Sequence, residues 1–146
     1  MANEREVQEK LAILQQLQGE AETLQRRIVE LELLSNEYKR TIETLEFFES
    51  IEAGVEALMS LGGGIFAYVD IKNCKKILVD VGSGVVIERE VKDAIEFIKK
   101  RKSDVEENIQ KLTQMLRQVA QQAASIQEEL AKLIQKEKEG QNVQNP

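Results

Sequence analysis

The sequence of 146 residues contains no histidine, no tryptophan and a single cysteine, Cys74. Without histidine, and with only one thiol, the chain lacks the ligand sets of most zinc, haem and iron–sulfur sites, and it cannot form an internal disulfide. A lone thiol also indicates a reducing, cytosolic setting. We therefore predict that the protein has no cofactor and no metal ion.

Aromatic residues make up only 4% of the chain, and no apolar run approaches the length of a membrane span. Residues 1–10 are charged and polar where a secretory signal would be apolar. Charged residues make up 32%, and the net charge of −6 repels phosphate backbones on average. We expect an elongated, soluble, cytoplasmic protein that binds neither nucleic acid nor a membrane.

What the sequence does have is two long heptad patterns of apolar residues. The a and d positions of the first run from Val7 to Leu45, and those of the second run from Val91 to Leu133. Apolar spacing sustained over this length is typical of a coiled coil. The residues at these positions that carry a polar group are Lys10, Ser35, Tyr38 and Lys102.

The two patterns also match each other if the chain reverses between them. With Leu45 facing Ile95, the layers correspond one to one out to Val7 facing Leu133, and each a position faces a d position. This is the arrangement of an antiparallel pair of helices. We predict that the helices pair within one chain, and that each is roughly 60 to 70 Å long at about 1.5 Å per residue.

Between the heptad patterns lies a block with glycine-rich turns and the alternation of β-strands. Gly62-Gly63-Gly64 and Gly82-Ser83-Gly84 permit the positive φ angles of tight reversals. Four short strands, forming two hairpins, are predicted at 55–61, 65–71, 77–81 and 85–88. The predicted organisation is a helix at 5–52, paired hairpins at 55–88, a second helix at 91–138 and a disordered tail at 140–146.

Two isolated hairpins would leave open strand edges, which recruit other strands. Hairpins from several subunits could pair edge to edge and close into barrels, which we favour. The alternative is a small sheet that folds back on its own helices. The residues expected to make the oligomer contacts are Val55, Leu58, Ile65, Ala67, Val69, Ile77, Val79, Val85 and Ile87.

Catalytic residues are not apparent. A strand, rather than the helix that a phosphate-binding loop requires, follows the second glycine turn. The acidic pair Glu106 and Glu107 lies on an open helical surface without a pocket that would shift a carboxyl pKa. We therefore predict that the protein is not an enzyme.

The strand block carries a family resemblance. Its residues are Leu61 to Val69 and Lys76 to Glu88, followed by Ala94 near the start of the second helix. They resemble the α-type subunit of archaeal prefoldin, because the linker has room for two hairpins where a β-type subunit has room for one. The resemblance covers nearly all of residues 5–138 and departs at Ser60, where many relatives have proline.

The resemblance implies an α+β fold, in which two β-hairpins join a long antiparallel two-helix coiled coil and assemble into an intersubunit β-barrel platform. It implies a hexamer of two α-type and four β-type subunits. It also implies an ATP-independent chaperone that holds unfolded polypeptides at the coiled-coil tips and delivers them to a group II chaperonin. The alternative is a structural or scaffolding coiled coil without client binding, and the match between the two heptad patterns argues against it.

Holding a non-native protein requires exposed apolar surface. Leu11 and Ile13 occupy e and g positions beside Leu14, and Ile134 follows the d residue Leu133, at flanking sites that a two-stranded coil cannot fully cover. The predicted client-binding residues are Leu11, Ile13, Leu14, Leu130, Leu133 and Ile134. The alternative is that these residues only thicken the core between the two helices.

Overall fold

Two long helices are separated by four strands. The structure, a computed structural model, describes the backbone of residues 2–144 and the side chains of residues 3–140. The elements in chain order are α1 (Ala2–Ser50), β1 (Val55–Gly62), β2 (Ile65–Ile71), β3 (Lys76–Gly82), β4 (Val85–Glu90) and α2 (Val91–Gln144). The predicted α+β arrangement of two helices and two hairpins is therefore confirmed.

Both helices end at residues other than those predicted. Helix α1 ends at Ser50, two residues before the predicted end. Helix α2 continues through Gly140 to Gln144, where the sequence predicted a disordered tail over 140–146; residues 145 and 146 lie outside the described part. A single glycine costs only about 1 kcal/mol in a helix, and the lysine, glutamate and glutamine beside it are good helix formers.

The chain divides into two compact units. The hairpin unit, residues 33–106, contains the C-terminal part of α1, the four strands and the start of α2. The helix-pair unit contains α1 up to Glu32 and α2 from Glu107.

The heptad pattern correctly predicts which helical residues are covered. Every predicted a and d position of the two helices is buried or half-buried, including the polar residues Lys10 and Lys102. Leu33, which lies off the pattern, is 64% exposed. Contacts within each unit show that the helices run antiparallel in the predicted register. In the helix-pair unit Lys10 binds Glu129, and in the hairpin unit Leu45 and Ile95 share one core.

The strands form two separate antiparallel hairpins, β1 with β2 and β3 with β4. Each hairpin closes with three consecutive residues of positive φ: 90°, 61° and 79° at Gly62, Gly63 and Gly64, and 121°, 54° and 75° at Gly82, Ser83 and Gly84. Turns of this conformation match the right-handed twist of the strands. The two hairpins thus use the same turn, even though Ser83 is not a glycine.

A register shift precedes each turn. It lies between Ser60 and Gly62 in the first hairpin and between Asp80 and Gly82 in the second. The N–H of Gly62 donates to Ser60 Oγ at 3.3 Å, and the N–H of Gly82 donates to Asp80 Oδ1 at 2.9 Å. The serine at position 60 therefore provides a turn contact that a proline could not.

The link between β2 and β3 ties the two helices to the strands. The ammonium of Lys75 donates to the carbonyl of Glu49 at 2.6 Å, near the C-terminal end of α1. The backbone N–H of Val91, the first residue of α2, donates to the carbonyl of Lys75 at 2.8 Å. Asn73 Oδ1 accepts from the N–H of Lys75 at 2.9 Å, and Cys74 between them is buried as a free thiol.

The core of the hairpin unit lies where β3 meets the helices. Its buried members are Leu45, Val79, Val91, Ala94 and Ile95, and Ile42, Phe48, Ile77, Val81 and Phe97 pack against them. One face of β3 is therefore covered by the chain's own helices. Val79, which the sequence predicts among the oligomer contacts, lies in this core, because alternate residues of β3 point toward α1 and α2.

Candidate functional site

The six residues predicted to bind clients fall into two groups in the helix-pair unit. Leu11, Ile13 and Ile134 are 43%, 45% and 42% exposed. Leu14, Leu130 and Leu133 are half-buried between the helices. The a and d positions of a two-stranded coil face the partner helix, whereas e and g positions border it. The exposed group therefore offers apolar surface, and the half-buried group holds the helices together.

An ion pair between the helices lies beside these residues. Lys10 Nζ is 2.5 Å from Glu129 Oε2. The hydrogen bond with Glu129 raises the pKa of Lys10, and the same bond, reinforced by the positive charge of Lys10, lowers the pKa of Glu129. Each group thus stabilises the ionised form of the other. Further charges from Glu6, Lys132 and Lys136 surround the pair.

An uncharged groove of about 640 Å³ runs along the helix-pair unit. Ile13 and Leu17 form its α1 side. The α2 side consists of Gln118, Gln121, Gln122, Ser125 and Ile126. Ile13 thus belongs both to the exposed apolar group and to this groove, whose glutamines are not among the residues predicted from the sequence.

The first hairpin presents an apolar face to solvent. Leu58 lies directly opposite Tyr68, and Ser60 lies opposite Phe66. Leu58, Phe66 and Tyr68 are 62%, 59% and 80% exposed. Their neighbours on the other face, such as Ala57 and Val69, are half-buried. Exposed apolar patches mark interaction sites.

The second hairpin is also apolar on its solvent side. Leu78 is 72% exposed and Val86 is 55% exposed, on the strand face opposite the one that packs on the helices. Val85 and Ile87 are 53% and 37% exposed. Both hairpins are two-stranded, so each leaves unpaired backbone groups along its edges.

The predicted oligomer contacts differ in accessibility. Leu58, Ile65, Val85 and Ile87 are exposed, whereas Val55, Ala67, Val69 and Ile77 are half-buried and Val79 is buried. The exposed residues Phe66, Tyr68, Leu78 and Val86 are not among those predicted from the sequence. Alternation along β2 and β3 separated the two faces correctly. It did not reveal which face the helices cover.

Residues 3–140, whose side chains are described, contain no group of three or more histidine, cysteine, aspartate or glutamate side chains positioned to hold a metal ion. Within the same described part of the chain, neither helix has an apolar stretch long enough to cross a bilayer.

Comparison with known proteins identifies the family. The Prefoldin family model, described as a prefoldin subunit, matches residues 17–136. A prefoldin subunit alpha from Archaeoglobus fulgidus is 66% identical over 137 residues, which are 94% of this chain and 100% of the relative. One from Thermofilum pendens is 31% identical over 128 residues, covering 87% of this chain and 97% of the relative. The chain belongs to the prefoldin family.

A solved structure shares the fold. A cryo-EM structure of filamentous PFD from Methanocaldococcus jannaschii matches with a TM-score of 0.55 and 21% sequence identity, covering 83% of this chain and 94% of that one. The relatives named above are alpha subunits, in agreement with the two hairpins predicted from the linker. Family membership supports a chaperone-type role, since prefoldin is a family of chaperone subunits and not of enzymes.

Proposed function

We propose that this chain is a subunit of an ATP-independent, cytoplasmic chaperone that captures non-native proteins and delivers them to a group II chaperonin. The observation that carries the proposal is the exposure of Leu11, Ile13 and Ile134, each more than 40% accessible in the helix-pair unit. Water leaves these side chains when they contact an apolar segment of a client, which contributes about 25 cal/mol per Å² buried. Capture of this kind needs no nucleotide.

Each such contact is weak, and this suits transient holding. A few partly exposed side chains give low affinity for any single client segment. Several subunits that contact one client at once raise the overall affinity without a new kind of contact, because later contacts form at high effective concentration. A client that folds withdraws its apolar residues and is released. We therefore propose that holding depends on assembly.

The hairpins support assembly with β-type prefoldin subunits, which we propose as two α with four β. Their open edges can pair with strands of other subunits, and closure into barrels removes those edges. The apolar faces that carry Leu58, Tyr68 and Leu78 would then be covered. Burial of these faces favours a permanent complex over a free subunit.

The mass of the protein, alone and mixed with a β-type subunit, tests the proposed assembly. A defined heterohexamer is expected in the mixture. A rod-like homodimer, or an open polymer that ignores the β-type subunit, would favour the scaffolding alternative. Delivery has its own test: an aggregation-prone client held by the hexamer should refold only after a group II chaperonin and ATP are added.

A further inference from the structure

The helix-pair unit contains a band without charge. Residues 11–19 of α1 and residues 118–127 of α2 include no lysine, arginine, aspartate or glutamate. In the antiparallel register these two segments lie side by side, since Ile13 and Leu17 line one groove with Gln118 and Ile126. Elsewhere the helices carry charges on nearly every turn, in a chain that is 32% charged. The band is therefore a local change in surface chemistry.

The groove in this band, which we call the amide groove, combines apolar side chains from both helices with glutamine amides along its α2 side. Its apolar side chains include Leu17, which is 8% exposed, and the half-buried Ile126. Gln118, Gln121 and Gln122 are exposed along its α2 side. None of the side-chain hydrogen bonds within residues 3–140 uses these three amides, and each amide can both donate and accept. The groove thus presents several free donors and acceptors beside apolar carbon.

We propose that the amide groove binds the backbone of an extended, non-native polypeptide segment. The inference rests on the proposed function and names the chemistry of recognition. A segment that has not folded carries N–H and C=O groups without intramolecular partners. Glutamine amides complement both groups, and Ile13, Leu17 and Ile126 contact the apolar side chains that such a segment exposes. Backbone groups are common to all clients, so this recognition does not depend on sequence.

The absence of charge supports the same occupant. A charged groove would repel client segments of like sign, and charge that is desolvated without a partner is unfavourable. Neutral amides carry neither restriction, so segments of either sign can bind. The other possible occupant is the same groove of a second copy of this chain, and the experiment below distinguishes the two.

The test uses the complete complex with the β-type subunit and a coumarin-labelled, uncharged peptide of alternating valine and serine. The groove variant combines Gln118→Glu and Gln122→Glu. The matched control combines Gln15→Glu and Gln16→Glu, which adds the same charge to exposed glutamines of the same band outside the groove lining. A second peptide carries N-methyl groups on alternate backbone nitrogens, which removes donors and leaves the side chains unchanged.

The groove variant should bind the peptide about tenfold more weakly than the wild type, as expected for the loss of one or two hydrogen bonds. The control should bind as the wild type does. The N-methylated peptide should bind the wild type about tenfold more weakly than the unmodified peptide. Together these results would establish recognition of the backbone at the groove.

Other results would overturn the inference. Equal weakening in the groove variant and the control would assign the effect to added charge alone. Unchanged binding of the N-methylated peptide would assign it to side chains. A larger complex that dissociates only in the groove variant would make a second copy the occupant.

A failure of the proposed function can be distinguished from a failure of the inference about the amide groove. A wild-type complex that binds no peptide and prevents no aggregation would reject the function itself. The inference alone fails if the groove variant binds normally while Leu11→Ser with Ile134→Ser abolishes client holding, because neither residue of that pair lines the groove.

Discussion

Lys10 Nζ lies 2.5 Å from Glu129 Oε2, and this contact joins α1 to α2 between residues 119 positions apart in the chain. Lys10 occupies a d position, where the heptad pattern otherwise places apolar residues. A polar group at such a position favours the register in which it finds its partner. The ion pair therefore helps to select the alignment that also brings Leu11 and Ile134 to the surface of the helix-pair unit.

Replacing Glu129 with glutamine should loosen this end of the helix pair in a pH-dependent way. The lowered pKa of Glu129 means that its contribution is complete above the ordinary pKa of a glutamate and is lost as the pH falls through the lowered value. The raised pKa of Lys10 means that its contribution is complete below the ordinary pKa of a lysine and is lost as the pH rises through the raised value. The pair is thus complete at neutral pH.

Hydrogen exchange of residues 6–14 measures this effect. The variant should exchange faster than the wild type at neutral pH, and the difference should shrink below about pH 4, where glutamate is increasingly protonated. Glu128→Gln is the matched control, because Glu128 pairs with Lys132 on its own helix. A difference that persists unchanged in acid, or that the control reproduces, would contradict this account of the ion pair.

Two glycines in different settings, Gly54 in the link between α1 and β1 and Gly19 inside α1, should respond oppositely to alanine. A Cβ at Gly54 would lie 2.5 Å from the carbonyl oxygen of Ile71, so the backbone would have to move. We expect Gly54→Ala to destabilise the chain by about 1–3 kcal/mol. A Cβ at Gly19 meets nothing within 4 Å in helix α1, so Gly19→Ala should stabilise it by about 0.5–1 kcal/mol. Urea unfolding midpoints that shift in the same direction for the two variants would contradict these opposite expectations.

Lys75 should stabilise the end of α1 through its hydrogen bond to the carbonyl of Glu49. A cation near the C-terminus of a helix also interacts favourably with the exposed carbonyl groups. Lys75→Met should therefore lower the free energy of unfolding by about 0.5 kcal/mol. Lys76→Met removes the same charge at the exposed first residue of β3 and should have no measurable effect. An equal loss of unfolding free energy in the two variants would indicate a general effect of charge. It would contradict a specific contact between Lys75 and the end of α1.

The outer face of the first hairpin should be required for assembly. Leu58→Ser with Tyr68→Ser removes two opposed, exposed side chains and should reduce the fraction of heterohexamer formed with a β-type subunit. The separate helix-pair unit should keep its helicity, since neither residue belongs to it. Val29→Ser with Leu33→Ser, two exposed apolar residues of α1, is the control. Full assembly of the hairpin variant in native mass spectra would show that this face is not the interface.

The helices and their pairing could be predicted from the sequence because a heptad pattern determines both the covered face and the register. The strands were equally clear, since glycine turns mark their ends and alternation marks their faces. Strand β2 was predicted at its observed bounds, Ile65–Ile71. Such local patterns contain the necessary information, because each depends on residues close together in the chain.

The orientation of the hairpins could not be predicted in the same way. Leu78 and Val79 are adjacent apolar residues on β3, yet Val79 is buried and Leu78 is 72% exposed. Which face the helices cover depends on how the link at Lys75 and Val91 directs the strands, a contact between distant parts of the chain. The amide groove was missed for a related reason. Its glutamines lie off the heptad core and become a site only where α1 supplies the opposite wall.

If the exposed residues of the helix-pair unit hold clients, their loss should weaken the suppression of client aggregation. The variant Leu11→Ser, Ile13→Ser, Ile134→Ser is assembled with the β-type subunit and mixed with a chemically denatured client, whose aggregation is followed by light scattering. The control, Val29→Ser, Leu33→Ser, Met115→Ser, removes three side chains that are at least as exposed.

We expect that about tenfold more of the Leu11, Ile13, Ile134 variant is needed for equal suppression, because a lost apolar contribution of about 1.4 kcal/mol corresponds to a factor of ten. The control complex should suppress aggregation as the wild type does. An intact complex of the first variant that holds the client with undiminished efficiency would contradict the account.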